Sequence, residues 1–211
     1  MSVHFTLDHV RAALARPLPG VRGQLRMVPS YRLDFDLYAR GSVDCRRAAV
    51  LFLLYPHQGE LYTLLTVRPS HLPDHPGQVS FPGGARDAQE RVVETALREA
   101  QEEVGLEPAL VQPLGRLTHI YIPPSHFCIQ ILVGYAGQRP CFRPNPHEVA
   151  QILETPLAHF FDPANVGYEP RLVNGVEHSV PYFAIGPHRV WGATAIAIAE
   201  FVTAVEEGCK T

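Results

Sequence analysis

The chain has 211 residues, 46% hydrophobic and 18% charged, enough to bury a sizeable core within one large domain or one domain with appendages. A formal net charge of -3 leaves no basic footprint for nucleic acid, although free nucleotides stay within reach because a metal and a few arginines can neutralise a diphosphate locally. No apolar run approaches the length of a membrane span, and the N-terminal stretch, interrupted by Asp8, Arg11 and Arg16, lacks the apolar centre of a secretory signal.

Leu7 to Ala15 reads as a short amphipathic helix, followed by a proline-bearing connector through Pro29, so a helical extension covers about residues 1–30. Arg47 to Tyr55 and Leu61 to Arg68 are strand-like runs separated by Pro56-His57-Gln58-Gly59, a hairpin signal. A loop from Pro69 to Gly83 leads into a helix over residues 88–103, where Ala, Leu, Glu, Arg and Gln dominate and Gly105 supplies the stop. Val93, Ala96, Leu97, Ala100 and Val104 form its core stripe, and Glu99, Glu102 and Glu103 share another face. Leu114 to Tyr121 and Phe127 to Ala136 read as strands joined around Pro123-Pro124-Ser125, and Glu148 sits in a loop before the apolar run Val149 to Leu153. Tyr182-Phe183 and the segment from Val190 to Ala195 suggest a late hairpin leading into a final helix that ends near Glu206. The 20 prolines fall at element boundaries rather than in a linker, and with no internal repeat the reading is a single domain over 1–211. Cys45, Cys128, Cys141 and Cys209 have no CxxC or metal-ligand spacing, which predicts four reduced thiols, no zinc site and a cytoplasmic protein.

The chemistry is expected on the long central helix. Like charges three and four positions apart cost a helix a few tenths of a kcal/mol per pair, and near its C-terminal end the macrodipole also disfavours anions. A cation should offset that, and Mg2+ or Mn2+ fits because hard divalent ions take carboxylate oxygens. An isolated acidic helix is more simply a solvated face. Here Phe81-Pro82-Gly83-Gly84 precedes it, and paired glycines allow a tight backbone path that brings loop and helix together.

Gly84, Glu90 and the run Arg98-Glu99-Ala100-Gln101-Glu102-Glu103-Val104-Gly105-Leu106 together resemble the Nudix box of Nudix hydrolases. The resemblance implies an α/β/α sandwich with a mixed β-sheet and a loop-helix-loop catalytic motif, a divalent metal, and hydrolysis of a diphosphate linked to another moiety. By position, Glu99 and Glu103 would be the principal metal ligands and Glu102 a further one, with Glu90 and Arg98 holding loop against helix. An acid from outside the box can complete such a site, and Glu148 is the candidate. Glu102 and Glu148 are the candidate proton acceptors; the competing reading of Glu148 is an exposed loop residue. A catalytic role for Glu103 follows from its place among the ligands.

A second block, Leu64-Leu65-Thr66-Val67-Arg68, Leu72, His75 and Gly77-Gln78-Val79-Ser80, looks like the extra motif of coenzyme A diphosphatases, which release 4′-phosphopantetheine and adenosine 3′,5′-bisphosphate. Pro69 stands where that motif has a small residue, and Pro73 where it has a second arginine. Arg68 is suited to a phosphate or to a surface ion pair, and the backbone N–H groups of Gly83 and Gly84 are suited to a phosphate. His75 is read either as a substrate contact or as a loop residue, and Trp191 as packing before substrate wall. The expected partner is a small-molecule diphosphate, with no membrane or nucleic acid; a homodimer is compatible. ADP-ribose or another nucleoside diphosphate derivative is the alternative substrate, and a non-catalytic ligand-binding module the alternative class.

Overall fold

A computed structural model describes residues 5–32, 44–72 and 76–209. In chain order the helices and strands begin with α1 (Leu7–Leu14), α2 (Val21–Gln24), β1 (Arg46–His57), β2 (Glu60–Val67), β3 (Val79–Ser80) and β4 (Gly83–Ala85). They continue with α3 (Val92–Val104), β5 (Val111–Arg116), β6 (Ile120–Ile122), β7 (Phe127–Ala136), β8 (Gln151–Pro156), β9 (Val166–Val173), β10 (Val176–Ile185), β11 (His188–Val190) and α4 (Gly192–Gly208).

The long apolar run of β1 puts it at the centre. Ala49, Leu51, Leu53 and Tyr55 turn to one face and Phe52 and Leu54 to the other, all fully buried, as the two-residue period of a strand requires. The first set packs against Ala96, Ala100 and Val104 of α3, the second against Ile198, Phe201 and Val205 of α4. One helix therefore covers each face of a mixed sheet, the expected α/β/α sandwich. Within the eight-stranded sheet the order β3-β2-β1-β7-β5 is antiparallel except for the parallel pair β1 and β7, while β4, β6 and β8 add to β1, β7 and β2. A separate antiparallel sheet runs β11-β10-β9.

The β1–β2 hairpin is tighter than the sequence suggested. Pro56 and His57 stay in the strand, and only Gln58 and Gly59 turn, with φ of 51° and 83°, the pair of left-handed residues that a two-residue loop between twisted strands favours. Helix α3 begins at Val92 rather than at 88, because Asp87 to Glu90 form a turn closed by Glu90 N–H to the Asp87 carbonyl at 3.1 Å. Its start is capped by Glu94, whose carboxylate accepts the Arg91 N–H at 2.7 Å. Gly105 ends it at φ 66°, the left-handed cap. Strand β9 escaped the sequence reading because Gly167 and Pro170 interrupt its pattern.

The N-terminal segment is keyed to α4 by a buried polar contact. The Gln24 amide donates to the Glu200 carboxylate at 2.7 Å, and Glu200 also accepts the Thr118 N–H at 3.1 Å. Such pairing is required for a fully buried carboxylate.

The thiols correct an expectation. Cys45 and Cys128 form a disulfide across the parallel pair β1 and β7, leaving Cys141 and Cys209 free and exposed. Widely spaced cysteines carry no sequence signal for this; it is the parallel register, Arg47 opposite Cys128, that brings Cys45 alongside its partner. Alkylation of the unfolded, non-reduced chain should therefore label Cys141 and Cys209, with Cys45 and Cys128 labelled only after reduction, as peptide mass spectrometry reads directly. Because the bridge closes a loop with a sequence separation of 83, Cys128→Ser should lower unfolding free energy by about 2–4 kcal/mol in denaturant titrations without reductant, and by much less with it.

Candidate active site

The site is built where β4 is squeezed between β1 and α3. Ala49 pairs with Gly84 and Val50 with Gly83, and Phe81 anchors the approach by packing on Phe52, ring centroids 4.6 Å apart. At Gly83, φ is 153° and a Cβ would lie 2.4 Å from the Ala49 carbonyl oxygen. At Gly84 a Cβ would lie 2.4 Å from Glu99 Oε2. Gly83 must be glycine because backbone occupies the place of a Cβ, whereas at Gly84 a Cβ would displace the Glu99 carboxylate.

On α3, Arg98 is the hub. Its Nε donates to Glu90 Oε1 at 2.7 Å and its Nη2 to Glu90 Oε2 at 3.1 Å, a two-pronged grip across the turn that precedes the helix. The same guanidinium reaches Glu99 at 2.8 Å and Glu102 at 3.1 Å and donates to the Ala85 carbonyl at 3.2 Å. Thr95, which the sequence reading passed over, donates its hydroxyl to Glu90 at 2.9 Å; its spacing of three from Arg98 was the available signal. Glu90 is held down to about 2, first by the Arg98 hydrogen bond.

Glu103, read from spacing as sharing a face with Glu99 and Glu102, is itself buried: it is 7% exposed. Burial pushes its carboxyl up to about 8, opposed by the Gly83 N–H that it accepts and by the charge of Arg68, and reinforced by Glu148 and Glu99. The Gly83 N–H is thus turned to Glu103. Glu99 is also raised, first by burial, with Glu102 and Glu148 adding to the shift and Arg98 opposing it. Glu102 is half exposed.

The loop bearing Glu148 is tied to the end of α3: Asn145 N–H donates to the Glu103 carbonyl at 2.8 Å and Arg143 N–H to that of Val104 at 2.8 Å. The Asn145 amide orients Glu148 at 3.3 Å. This places Glu148 beside Glu99 and Glu103, so it is exposed and yet part of the cluster. Arg68 directly follows β2, its backbone bonded to Gly77 and Gln78. His75 and Pro73 lie outside the described residues.

The cluster's side-chain donors are carboxylate oxygens, the set that suits a hard divalent cation, and the burial of Glu103 among other acids is costly without one. As they stand, no three acidic, His or Cys side chains among the described residues converge on one coordination point; Arg98 instead gathers Glu99 and Glu102.

Fold and site define a class: the NUDIX domain profile matches residues 45–183, and the chain belongs to the Nudix family of hydrolases. It is 39% identical over 184 residues to the mitochondrial coenzyme A diphosphatase NUDT8 of Homo sapiens, covering 78% of each chain. It is 39% identical over 193 residues to the uncharacterized Nudix hydrolase NudL of Pectobacterium atrosepticum, covering 88% of this chain and 92% of that one. The peroxisomal coenzyme A diphosphatase NUDT7 of Mus musculus is 39% identical over 122 residues, 57% of this chain and 51% of that one.

The two glycines should respond differently to a methyl group. Gly84→Ala meets the mobile end of Glu99 and should leave thermal stability within about 1 kcal/mol while lowering metal-dependent turnover. Gly83→Ala meets backbone at a φ that L residues avoid and should cost about 2 kcal/mol or more, both read by calorimetry. Glu90 has a folded value far below the usual glutamate value of about 4.3, so its pairing stabilises above that pH and is lost as pH falls toward its folded value of about 2. The melting-temperature gap between wild type and Glu90→Gln, open at pH 6, should therefore close across that acid range.

Proposed function

We propose that the chain hydrolyses the diphosphate of coenzyme A or its derivatives, with a divalent cation, giving 4′-phosphopantetheine or its acyl form and adenosine 3′,5′-bisphosphate. The observation that carries the reaction type is the grouping of Glu99, Glu103 and Glu148 beside Gly83 and Gly84, with Glu103 buried. The substrate rests on the block from Leu64 to Gly84 and on the coenzyme A diphosphatase relatives.

Glu99, Glu102 and Glu103 would hold Mg2+ or Mn2+, which when bound supplies neutralisation of diphosphate charge and orientation of a water. Arg68 adds a fixed positive charge beside Glu103 for a phosphate oxygen. The Gly83 N–H holds the Glu103 carboxylate, and Arg98 holds Glu99 and Glu102, so the acids are aimed before substrate arrives. Water attacks one phosphorus in line, and Glu148, exposed and oriented by Asn145, accepts its proton; Glu102 is the second candidate base.

A cytoplasmic placement suits the two exposed free thiols, whereas the Cys45–Cys128 bridge points to a more oxidising compartment. No helix among the described residues is long and apolar enough to cross a membrane.

The test is chromatographic product analysis with coenzyme A and, separately, ADP-ribose, each with Mg2+ or Mn2+. Coenzyme A should give its two halves, and Glu103→Gln should lower kcat by about 10²-fold or more with the melting temperature retained. Cleavage of ADP-ribose alone would sink the coenzyme A reading, and near-normal turnover by Glu103→Gln would sink the metal-site reading.

A further inference from the structure

An open cleft of about 410 Å³ lies where the segment Pro76-Gly77-Gln78, just before β3, meets the second sheet. Its walls include Gly77 and Gln78 on one side and Arg171, His188, Arg189 and Trp191 on the other. Gly77 is turned to φ 69°, and a Cβ there would meet nothing within 4 Å, so the wall is backbone facing open space. The opposite wall is cationic and aromatic. The Arg171 guanidinium carbon lies over the Trp191 ring, 3.7 Å from its centroid. Glu169 fixes both arginines, accepting from Arg171 Nε at 2.7 Å and from Arg189 Nη1 at 2.8 Å. One carboxylate between two guanidiniums leaves a net positive charge, and the fork of Arg189, 59% exposed, has donors beyond the one committed to Glu169. The volume is within the range of small-molecule sites, roughly 300–1,000 Å³.

The cleft is coupled to the catalytic site through the backbone. Gly77 N–H donates to the Arg68 carbonyl at 3.2 Å and Arg68 N–H to the Gln78 carbonyl at 2.9 Å, while Thr194 donates to the Val79 carbonyl at 3.3 Å and pins the turn after Trp191 to β3. From Gln78 the chain reaches Gly83, whose N–H holds Glu103, in a span of no more than ~18 Å even if fully extended. One wall of the cleft and the Glu103 contact are therefore two points on one short stretch of chain.

We propose that this cleft is a second recognition subsite, which binds the phosphate monoester on the nucleoside end of the substrate through Arg189 and Arg171. The proposal rests on the coenzyme A reading, since that substrate carries such a monoester on its ribose and a neutral pantetheine arm at the other end. Charge selects between the two ends: two guanidiniums gain from a dianion and nothing comparable from an amide chain. The diphosphate is thereby placed over the glutamates by a contact remote from the reacting phosphorus.

The test is calorimetric, on the full chain without metal, with adenosine 3′,5′-bisphosphate and adenosine 5′-monophosphate as probes. Wild type should bind the bisphosphate at least about tenfold tighter, and Arg189→Gln and Arg171→Gln should each remove most of that contrast. Arg189 is exposed, so Arg189→Gln decides the matter should Arg171→Gln fold poorly. Equal binding of the two probes by wild type, or a contrast that survives Arg189→Gln, overturns the subsite. In turnover, the preference in kcat/KM for coenzyme A over 3′-dephospho-coenzyme A should fall about tenfold in Arg189→Gln. Failure to cleave coenzyme A at all would defeat the catalytic reading, whereas cleavage with an unchanged preference in Arg189→Gln would defeat only the cleft.

Discussion

The close approach of Gly83 and Gly84 to β1 on one side and to α3 on the other is the constraint on which the site depends. Without side chains there, the backbone can pair with Ala49 and Val50 while its N–H reaches Glu103. That contact compensates part of the cost of taking a carboxylate out of water, which the hydrophobic faces of β1 and α3 would otherwise impose. The same packing that makes the core therefore makes Glu103 a costly group to leave without a compensating charge. Phe81, packed on Phe52 with Phe201 behind it at 4.6 Å, ties the loop's position to α4 on the far side of the sheet.

What the sequence made legible was local. Helix α3, its Gly105 cap, the central strands and the glutamates followed from propensity, period and spacing, because each depends on residues within one or two turns. What it left hidden depends on register between distant segments. The start of α3 moved to Val92 because Glu90 is consumed by Asp87, Thr95 and Arg98, a three-way contact that helix propensity does not encode. The Cys45–Cys128 bridge follows from the parallel pairing of β1 and β7. Glu148 reaches the cluster because the Asn145 and Arg143 N–H groups use the open carbonyls at the end of α3, a capping solution that a loop sequence does not announce.

Electrostatic balance explains the division of labour among the acids. Glu90 is paired so fully with Arg98 that it stays ionised far into acid and serves as a strut. Glu99 and Glu103 are pushed the other way, first by burial and then by neighbouring acids, Glu102 and Glu148 for Glu99 and Glu148 and Glu99 for Glu103. Two carboxylates raised together in a site that also faces Glu148 mark the place where positive charge is missing, and Arg98 and Arg68 supply only part of it. A motif with identical glutamates on an exposed helix would carry no such deficit.

Binding energy and chemistry are separated in space along one short strand. Residues from Gly77 through Gly84 pass from the second sheet's cleft, over β3, to the Gly83 contact with Glu103, so a ligand in the proposed subsite is registered against α3 through a short stretch of backbone. Short, hydrogen-bonded backbone is the stiffest connection available here. It lets recognition change by substitution on β9 and β11 while the glutamates keep their geometry, a physical reason for one catalytic helix to serve substrates with different ends.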